Sequence, residues 1–443
     1  MRGVKRPHTE NGTEEISDQL DLLREPPTHS QVTSGRWTFH NPPDLNPMAS
    51  DVRIMAPRSD SEFTDLSDAR LMIDYQVVRA NGAAIGGQDT FTCYPGDFGD
   101  LLFESAQLRI NNTLVEHVDN YGVTSYIQTL LGSTPAAKSS RLKAEGWYDD
   151  DTRGRAQGAA DADETVRRTD IQNSITQKLV LRPKFALCQQ RRMFPPGTEF
   201  EFLFRRAPNN FFLMADGAAN IMRIKITRAV LRVRRYLIDE SVYSALFSAA
   251  TGVGPGTPST AGYFQYPNKT LETTEHTIAA GVTNHTINIP TLKRPNKVLV
   301  VFVRQDAHGG IHNQNPVQFQ NLDVSSAELK FDGTPVDQEI ECDFGVNGST
   351  SRAYSNLFDV AFRSSRHDSH GVTTEEFRNY STIFAWNTQD LIGSGVDKRQ
   401  TVSLSASFKM RQPTGNVITA LVIRETNRRV HLGADGTVLK DET

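Results

Sequence analysis

SAQLRINNTLVE (residues 105–116) returns in the second half of the chain as SAELKFDGTPVD (326–337). Ser, Ala, Leu, Thr and Val recur unchanged, while Gln/Glu, Arg/Lys, Ile/Phe, Asn/Asp and Glu/Asp recur in kind. Each copy reads as a β-hairpin. Strand side chains alternate between faces, so Leu108 and Ile110 share one face, as do Leu329 and Phe331. Asn111-Asn112 and Asp332-Gly333 then supply a two-residue turn, because these residue types tolerate the positive φ of tight hairpins. Thr113/Val115 and Thr334/Val336 begin the return strand. The pair implies a duplicated β-domain, which requires the neighbouring segments to repeat as well.

They do so in order. Residues 66–80 (LSDARLMIDYQVVRA) form a core strand before the first hairpin, with Leu71, Ile73 and Tyr75 on one face. KVLVVFVRQ (297–305) takes that place before the second. A short helix follows each hairpin. In the first half it spans 120–131, with Asn120 as cap, Val123, Tyr126/Ile127 and Leu130/Leu131 as its apolar stripe, and Gly132 at its end. In the second half Tyr354, Leu357/Phe358 and Ala361/Phe362 make the stripe. Residues 177–187 (QKLVLRPKFAL) read as strand. Phe200, Phe202 and Phe204 alternate inward with Glu201 and Arg205 outward, and Val402, Leu404, Ala406 and Phe408 do the same opposite serines and Lys409. The strand over 221–236 changes apolar phase between Met222/Ile224/Ile226 and Ala229/Leu231/Val233, which predicts a β-bulge near 227–228. Asp239 can cap a short helix (Val242, Tyr243, Leu246). A final strand covers 417–424. Residues 146–175 lack apolar period and read as a long exposed loop inserted in the first copy.

Short strands separated by turn signals fit a β-sandwich or jelly roll, and no long helix separates successive strands as in β/α folds. The fold class expected is all-β: two tandem jelly-roll β-sandwiches with a few short helices in loops and an extended N-terminal arm. The boundaries expected are a flexible N-terminal arm over 1–60, a first jelly roll over 61–250, a linker over 251–264, a second jelly roll over 265–432 and a C-terminal tail over 433–443. Trp37 and Phe39 are the arm's candidate anchors, and Pro/Gly-rich GVGPGTPSTAG (252–262) marks the linker.

With 443 residues, 37% apolar and 23% charged and a net charge of −4, the chain does not carry the strong basic excess of a bulk nucleic-acid binder. No run of about 18 apolar residues predicts a membrane-spanning helix. The N-terminal residues lack the apolar core of a secretory signal. Cys93, Cys188 and Cys342 are widely spaced without a CxxC, which argues for reduced thiols and intracellular synthesis rather than a disulfide scaffold or zinc site.

The run from the first hairpin through YGVTSYIQTLLGS (121–133) to LKAEGWYDDD (142–151) resembles the hexon-like double jelly-roll major capsid proteins of midsize eukaryotic DNA viruses, of the adintovirus and adomavirus type related to Polinton transposons. PPGTEFEFLFRRAPNNFFLM (195–214) with KITRAVLRVRRYLI (225–238) is similar to that family's middle, and TIFAWNTQDL (382–391) to its late segment. The resemblance covers roughly 65–425. It implies a double jelly roll that trimerises into a pseudo-hexagonal capsomer and tiles an icosahedral shell, with no active site. The partners implied are the chain itself, neighbouring trimers, and penton and minor capsid proteins. Its place is the virion shell, with synthesis and assembly inside the host cell. The alternatives are a minor or vertex capsid protein, and a jelly-roll attachment protein that binds host glycans through its loops.

Residues that invite chemistry are few. His308 and His312 have i, i+4 spacing, but two intervening glycines oppose a helix and no third ligand is near in sequence. His367-Asp368-Ser369-His370 reads as a polar loop and Asp149–Asp151 as a solvated acidic turn. No GxSxG, P-loop, HExxH or GxGxxG pattern is present, so no catalytic, cofactor-binding or metal residue and no small-molecule substrate is expected. Arg223, Lys225, Arg228, Arg232, Arg234 and Arg235 have two readings. They form a solvated, ion-paired outer face, or a contact with other capsomers, the genome or an inner membrane. Lys5-Arg6 in the arm allows the same idea.

Overall fold

The computed structural model describes residues 32–48, 51–86, 92–93, 97–148, 162–215, 222–244, 263–291, 294–311, 314–361, 369–388, 402–433 and 435–440. In the first half the main strands are β1 (Val32–His40), β2 (Asp51–Ala56), β3 (Glu62–Arg79), β4 (Phe103–Ile110), β5 (Thr113–Val118), β6 (Gln177–Leu181), β7 (Phe200–Arg206) and β8 (Met222–Ile238). In the second half they are β9 (Tyr263–Ile278), β10 (Asn284–Thr291), β11 (Lys297–Arg304), β12 (Val324–Phe331), β13 (Thr334–Pro335), β14 (Ile383–Asn387), β15 (Val402–Met410) and β16 (Ile418–Gly433). The main strands of the first half make two antiparallel sheets, ordered β1-β8-β3-β6 and β2-β7-β4-β5, and Thr92–Cys93 pairs with Met214–Ala215 beside them. The second half makes β9-β16-β11-β14 and β10-β15-β12-β13, the same order strand for strand. Apart from the β4–β5 and β12–β13 hairpins, strands that follow one another in sequence pass between facing sheets, which is jelly-roll wiring. The fold is therefore a double jelly roll, mostly β with short helices in its loops, and no sheet mixes strands of the two halves among the described residues.

The equivalence holds at single-residue register. Leu108 pairs with Phe202, and Ile110 with Phe200. Leu329 pairs with Ala406, and Phe331 with Leu404. The ladder slips between Phe103 and Ser105 in one roll and between Val324 and Ser326 in the other, the corresponding place in each. Both turns have two residues at positive φ: Asn111 at 47° and Asn112 at 65°, then Asp332 at 48° and Gly333 at 80°. Asn111 Oδ1 accepts the amide of Glu199 at 2.9 Å, and Asp332 Oδ1 accepts that of Ser403 at 2.9 Å. An Asx side chain at the first turn position thus ties each hairpin to the strand beside it.

The inward residues form one apolar cluster that runs through both rolls. Phe200, Phe202 and Phe204 are buried, as are Leu404, Ala406 and Phe408. The β-bulge expected in β8 falls between Ile226 and Arg228, where the pairing with β3 slips. Asp239 accepts the amide of Ser241 at 2.9 Å through its side chain and those of Val242 and Tyr243 through its carbonyl, so it does start a helical turn. Leu246 lies outside the described residues.

Several expectations change. β1 and β2 both fall inside the segment read as an arm over 1–60. Val52, Ile54 and Ala56 alternate inward, but six residues are too short a run to stand out. β1 is an edge strand whose side chains are mostly exposed, so it carries no apolar period and is held by backbone pairing to β8. The first sandwich therefore begins by residue 32. Residues 1–31, Lys5-Arg6 among them, lie outside the described residues.

The loop expected over 146–175 contains a helix, Ala162–Ile171. It is polar around most of its circumference and docks through Ile171 and a Tyr148 hydroxyl that donates to Asp170 at 2.9 Å, so no stripe announces it. Residues 149–161 are outside the described set. The strand over 177–187 stops at Leu181, and residues 186–188 form a 3₁₀ turn. The helix after the first hairpin is Tyr121–Gly132, but Asn120 does not cap it by side chain; its φ is 51° and its amide points elsewhere. The matching helix, Ser351–Val360, buries Ala353, Leu357 and Val360, with Tyr354 half-buried, so its inner face is turned from the stripe expected. Ala361 follows it and Phe362 is outside the described residues. β16 runs on to Gly433, and a strand at Val438–Lys440 pairs with it inside the expected tail. Tyr263 and Phe264 already belong to β9; 251–262, including GVGPGTPSTAG (252–262), lie outside the described residues.

Candidate interaction surfaces

No grouping of three or more His, Cys, Asp or Glu suited to a metal occurs among the described residues. His308 closes a short helix and meets Glu275 at 3.1 Å. His312, His367, Asp368 and Asp149–Asp151 lie outside the described residues. His370 is buried, and its Nδ1 accepts the amide of Val372 at 3.1 Å. Cys188 and Cys342 are free and buried. Burial pushes the Cys342 thiol up to about 11 and holds that of Cys188 well above its usual range, which keeps both protonated and unreactive.

Three buried acids were not singled out by the sequence. Glu116 accepts the Ala186 amide through both oxygens at 2.9 and 3.0 Å, yet its burial pushes its pKa up to about 7. Asp100 is pushed up to about 6 by burial, and Asp97 is raised by burial and by Asp100. Asp97 and Asp100 sit within packed structure, whereas Glu116 lies on the wall of a cleft of about 320 Å³ with His117, Glu272, Arg424 and Arg428. Nothing in local spacing distinguishes them from surface acids, because their burial comes from distant elements.

The basic residues of β8 divide by face. Val233 and Leu231 are fully buried, and Arg232 and Arg234 point the other way. The Arg232 guanidinium lies 4.1 Å from the Trp37 ring centroid, and that of Arg234 lies 5.3 Å from it and 4.9 Å from the Tyr236 ring. Arg234 also approaches Asp68 at 3.7 Å. Arg235 is buried and reaches the Pro57 carbonyl and, at 3.9 Å, Glu62. Trp37 and Phe39 are exposed, so β1 and β8 present an aromatic–cationic stripe at a sheet edge. Trp37 is thus part of the sheet, where the sequence suggested an anchor on a loose arm.

The rolls meet along a second surface. Phe194 stacks on Tyr266 with ring centroids 4.2 Å apart, and the Tyr266 hydroxyl donates to the Met193 carbonyl at 3.1 Å. Lys138 is buried and donates to the carbonyls of Leu130 at 2.9 Å and His370 at 2.6 Å, with its ammonium 5.2 Å from the Trp147 ring. Asn120 donates to Glu275 at 2.6 Å, and Asn111 donates to the Gly436 carbonyl at 2.9 Å. Gly371 has φ +76°, and a Cβ there would meet Pro135 Cγ at 2.8 Å, so the second roll approaches the first with bare backbone. Beside this contact an open cleft of about 700 Å³ is lined from both rolls, by Arg182, Lys184 and Arg191 on one side and Lys269, Lys297 and Glu425 on the other.

No family model matches the sequence, and no curated protein matches it. Solved structures do. A chain of the Sputnik virophage, determined by cryo-EM, is similar over 100% of this chain and 93% of its own, with a TM-score of 0.64 at 12% identity. The mavirus major capsid protein is similar over 100% and 95%, with a TM-score of 0.54 at 9% identity. A chain of the PBCV-1 virus capsid is similar over 95% and 99%, with a TM-score of 0.56 at 10% identity. At such identities the likeness is one of fold, and it spans both rolls in each case.

Proposed function

We propose that this chain is a major capsid protein whose trimers tile an icosahedral viral shell. The observation that carries the reading is the matched strand order and register of two complete jelly rolls in one chain, a plan shared end to end with capsid proteins of the viruses named above. Two similar sandwiches repeated by a three-fold axis present six similar outer walls, so a trimer packs as a pseudo-hexagon. The interior supports this role: aromatic and aliphatic side chains fill the inward strand faces where a jelly-roll enzyme would place His and carboxylates. The function is self-assembly rather than catalysis, its place is the virion, and its partners are its own copies, then penton and minor capsid proteins. A vertex protein or a glycan-binding attachment protein needs only one roll, so the paired architecture favours the shell.

We assign the stripe of Trp37, Arg232 and Arg234 to contacts between capsomers. It lies at an exposed sheet edge, and its cations stack over aromatic rings, with Arg234 also 3.7 Å from Asp68. Light scattering of the purified chain tests the main reading: the expected mass is three times 49.3 kDa, and a strict monomer at high concentration refutes it. Arg232→Glu with Arg234→Glu should keep the trimer and suppress shell assembly in negative-stain images; normal shells would overturn the assignment of the stripe. Removal of residues 1–31 tests the arm without removing β1, and should leave trimers but weaken their assembly.

A further inference from the structure

The cleft between the rolls is out of charge balance. Arg141, Arg182, Lys184, Arg191, Lys269 and Lys297 line it, against the carboxylates of Asp68 and Glu425. Each nearby carboxylate is already shared. Glu425 lies 3.6 Å from both Lys269 and Lys297. Asp68 lies 3.3 Å from Arg70 and 3.7 Å from Arg234. Glu145, behind the wall, lies 3.2 Å from Arg141 and 3.8 Å from Lys184. Arg182 and Arg191 have no carboxylate within 4 Å among the described residues, and both are exposed to the cleft. The crowding is felt by the groups themselves: burial and then Arg141 hold the Arg182 guanidinium below its usual range. Like charges gathered without counter-charges oppose folding, and so such an array is maintained at a cost unless an anion occupies it.

The structure assigns this cleft to a compact polyanion that carries several phosphate groups. A single monovalent anion leaves most of the excess unbalanced. Guanidinium forks match phosphate oxygens in pairs, and the lysines on the facing wall supply point charges from the other roll. The volume suits a small free ligand and falls within the usual range of ligand pockets. Because the walls come from different rolls, such a ligand would tie the two halves of one chain together. The proposal does not depend on the capsid reading, since the cleft is complete within a single chain.

Titration calorimetry with inorganic tripolyphosphate on the intact protein tests it. Binding at one ligand per chain is expected, weakening steeply with added salt. The double variant Arg182→Ala/Arg191→Ala should bind about tenfold or more weakly, since charge-assisted hydrogen bonds are lost. Both side chains lack ion pairs among the described residues, so the variant should melt no lower than the parent does without ligand. Absence of binding, or equal binding by the double variant, overturns the site. Equal binding of monophosphate at the same concentration overturns the requirement for several phosphates. Competition by a ten-nucleotide single strand at equal phosphate concentration overturns the assignment to a small ligand. None of these outcomes depends on the mass or the images that test the capsid role.

Discussion

The two hairpins of the repeat have the same backbone and different surroundings. Both turns run through two residues at positive φ, and both tie an Asx oxygen to the neighbouring strand at 2.9 Å. The second, Asp332-Gly333, is exposed, and a Cβ added at Gly333 would meet nothing. The first is docked, with the Asn111 amide donating to Gly436 of the other roll. Further along, Glu116 is buried against Ala186, whereas Asp337, at the matching place in the repeat, is exposed and reaches Arg352 at 3.4 Å. The contrast separates two demands on one motif. What closes a sheet is kept in both copies, and what differs is where one roll must meet another element.

The largest test of that separation lies across the ladder. Leu108 faces Phe202, while its twin Leu329 faces Ala406. Phe202 packs in the first roll against Phe185, with centroids 5.8 Å apart. Phe202→Ala should therefore cost roughly 3–5 kcal/mol by opening a cavity. Ala406→Phe should cost about 1–3 kcal/mol by overpacking the fully buried second site. Since one apolar cluster crosses both rolls, either change should shift a single thermal transition; two separate transitions would show that the rolls unfold independently.

Glu116 gives the next effect, through pH. Burial raises its folded pKa to about 7 from a usual 4.5. The folded state therefore holds a proton that the unfolded chain releases. The stabilising contribution of the protonated acid is full below pH 4.5 and is lost as pH rises through 7. Glu116→Gln should remove that loss, an effect of order 3 kcal/mol at neutral pH, discounted by whatever the two amide contacts to the anion return. Melting temperatures measured from pH 4.5 to 8 check it: the difference between variant and parent should grow with pH. A difference that stays flat across that range would mean that burial of Glu116 has no titratable consequence.

Much of this comparison was legible in the sequence, for a physical reason. Hairpin turns, inward alternation and the β8 bulge are local consequences of residue type, so Asn111-Asn112, Phe200/Phe202/Phe204 and the phase change near Thr227 could be read directly. Elements that depend on partners could not. β1 carries few inward apolar residues because its place is fixed by backbone pairing with β8. The helix Ala162–Ile171 is polar on most sides. The surfaces were the least legible. Trp37 and Arg232 are far apart in the chain and meet only through the β1–β8 register, and the cleft draws Arg182 and Lys269 from different rolls. Charge clusters of that kind have no spacing rule to betray them.

The smallest effect is the one that isolates docking from turn formation. Asn111→Asp keeps an oxygen to accept the Glu199 amide but removes the donor to Gly436, and it sets a carboxylate beside that carbonyl. Asp332→Asn keeps the acceptor for Ser403 and adds a donor that faces solvent. Both substitutions suit the left-handed backbone of the turn, so conformational cost cancels between them. Asn111→Asp should then destabilise by about 1 kcal/mol, the worth of one hydrogen bond between protein groups. Asp332→Asn should stay within about 0.5 kcal/mol of the parent, as surface changes do. Urea midpoints of the two variants measured together decide the matter. Equal losses would mean that the Asx residue serves only its own hairpin in both copies, and that the docked turn gains nothing from the roll it touches.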